Sequence, residues 1–338
     1  RGYAEIYRFK MRAYEGKKEY KKMIDAMITL YEKSDDTDYI SMDCFKKDKK
    51  YAVAVFKEKI ASEKNNGLWR AVLATFYKEC HMYAEAIPLL SDLMEEYGFD
   101  EDLLEERSDC YEEMGMTQLA LDDINKAMEL TDQRNYAYYY GRRSGIYRYA
   151  GMYKEAIEDL DKYIERYPTK AYGYYARGWC QELSGDSKGA MDDYNEGIAV
   201  DENYPYIYLM RGTLYMENGD AGKATADFET VLTKDTTVMS GSCRHYALNF
   251  LGKAEEAEEW MNKIIEKDPD DPGEWYDKAC LYARMGRCDD AVGHTEVVVA
   301  SSYKPCLSVG KRISLTQFQT FLHSLRCRFA KLGMQFAV

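Results

Sequence analysis

Residues 137–170 read AYYYGRRSGIYRYAGMYKEAIEDLDKYIERYPTK. The first half carries apolar or aromatic residues at Tyr140, Ile146 and Tyr147, and Gly151 then supplies the break that glycine provides at a helix end. The second half sets Ala156, Ile157, Leu160, Tyr163 and Ile164 at helical spacing along one face, and Pro168 closes the segment. The stretch is a helical hairpin of 34 residues, with a small residue where its two helices come closest.

Outward from this hairpin, alanine recurs at Ala52, Ala86, Ala120, Ala156, Ala190, Ala224, Ala257 and Ala291, spaced by 34, 34, 36, 34, 34, 33 and 34 residues. A single globular core imposes no such ruler, whereas a stack of near-identical supersecondary units does. The spacing predicts eight repeats, at 33–66, 67–100, 101–136, 137–170, 171–204, 205–237, 238–271 and 272–302. The 36-residue step reflects two extra residues near Asn135 and Tyr136, where a local change of pitch is expected. Pro88 falls in the second helix of its repeat and is expected to kink it or lie in its first turn. Residues 1–32 read as a degenerate hairpin about Gly16, and residues 303–338 lie outside the repeat.

A solenoid explains how 338 residues avoid the need for one large core, since each repeat packs only on its neighbours. The 32 tyrosines suit half-buried positions that bury a ring and leave a hydroxyl wet. A net charge of −13 argues against general nucleic-acid binding, which needs a basic face. The charge is uneven: residues 303–338 hold six Lys/Arg and no acid, which leaves 40 Lys/Arg against 59 Asp/Glu in residues 1–302. Nine scattered cysteines without a C-x-x-C pair read as free buried thiols of a reducing, cytoplasmic compartment. No 18-residue apolar run suggests a membrane span. The chain begins at Arg1 and not Met, which leaves room upstream for a targeting or effector segment.

The repeats resemble tetratricopeptide repeats of bacterial type. That family places an aromatic at repeat position 4, Gly or Ala at 8, Tyr at 11, Gly near 15, Ala at 20, a large apolar residue at 24, Ala at 27 and Pro at 32. Here position 20 is alanine throughout, and position 15 is Gly115, Gly151, Gly185, Gly219, Gly252 and Gly286. Position 11 is Tyr77, Tyr111, Tyr147, Tyr215 and Tyr282, and position 24 runs Phe56, Leu90, Ile124, Leu160, Tyr194, Phe228 and Met261 before the discordant Thr295. The match covers about residues 33–302 and is weakest in residues 33–66. It implies an all-α, right-handed superhelical solenoid of about eight helix-turn-helix repeats.

Position 7, usually leucine in the family, reads Arg107, Arg143, Arg177, Arg211, Arg244 and Lys278 from the third repeat on. Sixteen residues later stand Asp123, Asp159, Asp193, Asp227, Trp260 and His294, while the apolar positions Tyr39 and Leu73 meet Val55 and Leu89. This internal covariation predicts structural ion pairs Arg107–Asp123, Arg143–Asp159, Arg177–Asp193 and Arg211–Asp227 across the hairpins. Arg244 faces Trp260 for a cation–π contact. A phosphate-binding arginine row is the rival reading.

The resemblance further implies a concave groove lined by positions 2, 5, 9 and 12 of the first helices. These are Tyr138, Gly141, Gly145 and Arg148; Tyr172, Tyr175, Trp179 and Glu182; and Tyr206, Leu209, Thr213 and Met216; Tyr276 follows in the last repeat. Aromatic and arginine residues in a concavity make interface anchors, although the same rings can pack between helices. Arg142 holds one position of the family's clamp for a C-terminal carboxylate, but its neighbours are wrong and that clamp is disfavoured. Asp102, Glu105, Glu106, Asp109 and Glu112 form an acidic strip on the third repeat, either a solvated face or a docking site for a basic segment of a partner.

Four histidines in different repeats lack ligand spacing, and no nucleophile elbow or phosphate-binding loop occurs, so neither metal, cofactor nor enzyme activity is expected. Residues 313–332 read as a basic amphipathic helix that caps the last repeat, with a membrane surface or acidic partner as the alternative. The sequence thus points to a protein- or peptide-binding scaffold of unknown oligomeric state. The second reading is the peptide-sensing half of a regulator whose effector domain lies upstream.

Overall fold

The computed structural model describes residues 2–33, 42–239, 241–287 and 290–291. Two compact units divide the chain between Leu130 and Thr131. The N-terminal unit contains α1 (Gly2–Gly16), α2 (Tyr20–Lys33), α3 (Met42–Lys46), α4 (Lys49–Ser62), α5 (Gly67–Glu79), α6 (Tyr83–Tyr97), α7 (Glu101–Glu113) and α8 (Thr117–Leu130). The C-terminal unit opens with a 3-10 turn at Gln133–Asn135. It continues through α9 (Tyr136–Tyr149), α10 (Tyr153–Arg166), α11 (Ala171–Ser184), α12 (Ser187–Val200), α13 (Pro205–Glu217), α14 (Ala221–Lys234), α15 (Arg244–Phe250), α16 (Ala254–Lys267) and α17 (Pro272–Arg284). No strand occurs among the described residues. The architecture is an all-α helical repeat, and the two extra residues of the 36-residue step fall beside the 3-10 turn. Pro88 lies within α6, beyond its first turn. The basic segment 313–332 and Thr295 lie outside the described residues.

Each hairpin turns in the same way. The amide of repeat position 16 donates back to the carbonyl of position 11, as in Met116 to Tyr111, Met152 to Tyr147 and Asp220 to Tyr215, all at 2.8 Å. That closure requires a left-handed residue at position 15, and the six glycines there have φ between 68° and 95°. In the second repeat His81 takes the same conformation, with φ 58°.

The ruler alanines are the contact points of the hairpins. Ala52, Ala86, Ala120, Ala156, Ala190, Ala224 and Ala257 are at most 1% exposed, because any larger side chain would separate the paired helices. One turn on, Phe56, Leu90, Ile124, Leu160, Tyr194, Phe228 and Met261 are buried between them, each worth roughly 1.5–3 kcal/mol for the larger apolar side chains. The core is correspondingly distributed. In the C-terminal unit one cluster spans α10 to α13 about Tyr194 and Ile207, a second spans α13 to α15 about Phe228, and a third spans α15 to α17 about Met261.

Two further joints link successive repeats. Aromatic residues at position 4 donate to the carbonyl of position 32 in the repeat before: Tyr174 to Pro168 (3.1 Å), Tyr208 to Glu202 (3.1 Å) and Trp275 Nε1 to Pro269 (2.8 Å). The first helix of the seventh repeat is short, because Asp235 Oδ2 accepts from the Ser242 hydroxyl and from the amides of Cys243 and Arg244, which starts α15 late. Buried His245 occupies position 8 of that repeat, where Ser108, Ser144, Gly178 and Gly212 stand in others.

Candidate partner-binding groove

The arginines of position 7 sit inside the hairpins. Arg107, Arg143, Arg177 and Arg211 each donate from Nε and Nη2 to both oxygens of Asp123, Asp159, Asp193 and Asp227, over 2.6–2.9 Å. The fork geometry raises each arginine's pKa, chiefly through the carboxylate hydrogen bond. The aspartates are 2–6% exposed. A second reach was absent from the sequence reading: Nη1 of Arg107, Arg177 and Arg211 donates to Ser91, Asp161 and Asn195, each sixteen residues earlier and on the preceding hairpin. Lys278 repeats this backward bond to Asn262 at 2.7 Å. Arg244 instead donates to the carbonyls of Leu232 and Asp235 and lies over the Trp260 ring, 4.9 Å from its centroid.

The candidate groove residues of the C-terminal unit stand on α9, α11 and α13, the first helices of three consecutive repeats. Tyr175 is the hub: its ring lies 5.5–6.4 Å from those of Tyr172, Trp179, Tyr204 and Tyr206. Tyr172 continues the chain to Tyr163 (5.6 Å), and Tyr163 to Tyr167 (5.2 Å). The residues differ in access. Tyr138 and Tyr172 are exposed at 45% and 37%, Arg142, Arg148, Trp179, Tyr206 and Tyr276 are half-buried, and Tyr175 and Leu209 are buried beneath the surface. Burial pushes the Tyr175, Tyr204 and Tyr206 hydroxyls up, so all three stay protonated donors at neutral pH.

Tyr204 and Tyr163 are participants that the groove positions did not include. Tyr163 occupies position 27, where the family has alanine, and that departure was the available signal. Its ring fits because Gly141 and Gly173 face it: a Cβ on either would come within 2.9 Å of the ring. Gly141 is therefore covered and offers no open groove surface.

Arg148 completes this corner. Its guanidinium carbon lies 3.8 Å from the Trp179 ring centroid and 4.4 Å from that of exposed Tyr149. Its charge acts on the Tyr175 hydroxyl and on the Cys180 thiol, lowering both against the larger upward push of burial, which takes Cys180 to about 11. At the far end of the unit, the Tyr246 hydroxyl donates to Asp277 at 2.6 Å. Burial nevertheless pushes the Asp277 carboxyl up to about 7, helped by the like charges of Glu274 and Asp271.

The acidic strip belongs to α7 of the N-terminal unit. Asp102 is exposed, and Glu105, Glu106, Asp109 and Glu112 are half-buried. Thr75 donates to Glu106, and Lys78 lies 3.8 Å from Glu106 and 3.5 Å from Asp109, so α5 partly neutralises the strip. Cys44, Cys80, Cys110, Cys180, Cys243 and Cys280 are free thiols. No described helix is long and apolar enough to cross a membrane.

These observations define an all-α repeat protein whose surfaces are built from the first helices of stacked hairpins. The family model described as tetratricopeptide repeat matches residues 146–206. A TPR repeat-containing protein of Methanocaldococcus jannaschii is 29% identical over 120 residues, which cover 32% of this chain and 21% of that relative. The chain thus spans about a fifth of the length of the curated relative it matches. The solved structure of a tetratricopeptide repeat protein from Parabacteroides merdae is similar in fold, with a TM-score of 0.53 at 17% identity over 86% of this chain and all (100%) of that one. Residues 146–206 thus match the tetratricopeptide repeat, and the helical hairpins around them share its fold.

Proposed function

We propose that the C-terminal unit holds an extended peptide segment of a partner protein along the face formed by α9, α11 and α13, and does so without catalysis. The observation that carries this reading is the linked aromatic surface of Tyr172, Trp179 and Tyr206 around Tyr175. Ring faces backed by a packed layer make anchors of low conformational cost, of the kind that dominates binding energy in interfaces. The half-buried state of Trp179 and Tyr206 leaves part of each ring for a ligand.

The acidic strip on α7 fits a second, weaker contact with basic side chains of the partner, and an electrostatic contact of that kind weakens with added salt. The segment is read as cytoplasmic on its free cysteines.

The test is binding of peptides selected from a random displayed library, compared between the natural chain and the variants Trp179→Ala and Tyr172→Ala. Each variant is expected to lower affinity by at least about tenfold, as interface hot spots do, with the helical circular dichroism unchanged. Unchanged affinity in both variants would reject the groove.

A further inference from the structure

The reading of the α9–α11–α13 face as a peptide groove leaves open which side chain the groove selects. We propose that Arg148 is the receptor for one carboxylate side chain, a glutamate or aspartate flanked by apolar residues in the bound segment. This rests on the groove reading above and deepens it.

Four other arginines of these hairpins spend their charge on carboxylates of the chain itself. Arg143, Arg177 and Arg211 are each closed on an aspartate, and Arg287 pairs with Glu258 and Asp290. Arg148 is half-buried and meets no carboxylate at ion-pair distance among the described residues; its contacts are the faces of Trp179 and Tyr149. Glu182, at the equivalent position of the next repeat, holds the Tyr194 hydroxyl at 2.9 Å.

Stacking on ring faces orients a guanidinium and leaves its in-plane N–H edge unused. That edge presents parallel donors matched to a carboxylate, which a lysine ammonium cannot reproduce. The same corner holds a second unsatisfied donor, the Trp179 Nε1–H, which is buried without an acceptor. The corner therefore offers the half-buried edge of Arg148, which no carboxylate of the described residues meets, beside aromatic surface for the flanking apolar side chains. With a net charge of −13, the chain repels a run of acids, so the fit is to a single carboxylate and not to a polyacidic tract. The arrangement also differs from a terminal-carboxylate clamp, whose lysine and asparagine set the sequence lacks.

The experiment takes peptides selected on the full chain from a random displayed library and measures their affinity by fluorescence anisotropy. Each acidic residue is then exchanged for its amide, against the natural chain, Arg148→Gln, Arg148→Lys and Trp179→Ala. The expected result is a loss of at least about tenfold for one Glu→Gln or Asp→Asn exchange on the natural chain, a similar loss for Arg148→Gln, and no further loss when the two are combined. Arg148→Lys should recover only part of the affinity. Binders that weaken in Trp179→Ala but carry no acid, or whose acid-to-amide loss persists in Arg148→Gln, overturn the carboxylate assignment while leaving the groove. Binders indifferent to Trp179→Ala, or a library that yields none, overturn both. A phosphoserine in the acid's place that binds more than about tenfold tighter overturns the carboxylate as the selected group.

Discussion

Removing the Asp159 carboxylate strips the Arg143 fork of the acceptor for its Nε and Nη2 protons inside a hairpin where the aspartate is 2% exposed. Asp159→Ala is expected to destabilise the protein by ~3–5 kcal/mol, because a charge is left buried without its partner. Replacing both residues by leucine should restore most of that loss, since a desolvated pair gives little over packed apolar side chains. Denaturant unfolding of the single and double variants measures both. Asp277 makes the opposite kind of statement. Its folded carboxyl lies near pH 7, above the ordinary 3.8 of an unfolded aspartate, so the folded chain keeps a proton over that window that the unfolded chain gives up. The stabilising contribution is present below about pH 4 and is lost as pH rises through 7. Thermal melts across that range should show a decline in stability that Asp277→Asn flattens.

At the scale of the hairpin, close approach decides which glycines matter. A Cβ on Gly178 in α11 would sit 2.6 Å from Tyr194 and 3.2 Å from the Asp193 Cβ, and Tyr194 is fully buried with nowhere to go. Gly178→Ala is expected to cost ~1–3 kcal/mol by overpacking despite the better helix propensity of alanine. Gly145→Ala in α9, where nothing lies within 4 Å of the added methyl, should instead gain roughly 0.5–1 kcal/mol. Chemical denaturation of the two variants gives shifts of opposite sign. The hairpins themselves were legible in the sequence because helix pairing is a local, periodic demand: the alanine ruler and the glycines of the turns each meet a fixed steric need. The forward offset of sixteen residues from arginine to aspartate was legible for the same reason, since charge type repeats with the period. The backward bonds were not, because Ser91, Asp161, Asn195 and Asn262 share only an acceptor oxygen and differ in residue type. The part of Tyr204 and Tyr163 in the groove was not legible, because their rings join it only through packing between neighbouring hairpins.

At the scale of the whole C-terminal unit, the core is a relay of neighbouring clusters and not a single centre. Damage should therefore stay local. Met261→Ala, which empties a fully buried site worth ~2–5 kcal/mol, is expected to raise amide hydrogen exchange in α14 to α17 while α9 to α12 keep their protection. A uniform rise over residues 131–287 would show one cooperative core instead. The arginine fork has a consequence for how such a chain can grow. In the third, fifth and sixth repeats an arginine counts sixteen residues forward to its own acceptor and sixteen back to its neighbour's. A gene segment encoding one such repeat therefore contains both halves of the joint, the plug and the socket. Tandem duplication in frame yields a longer chain already wired at every new seam, and loss of one repeat rejoins the flanking pair without a mismatched charge.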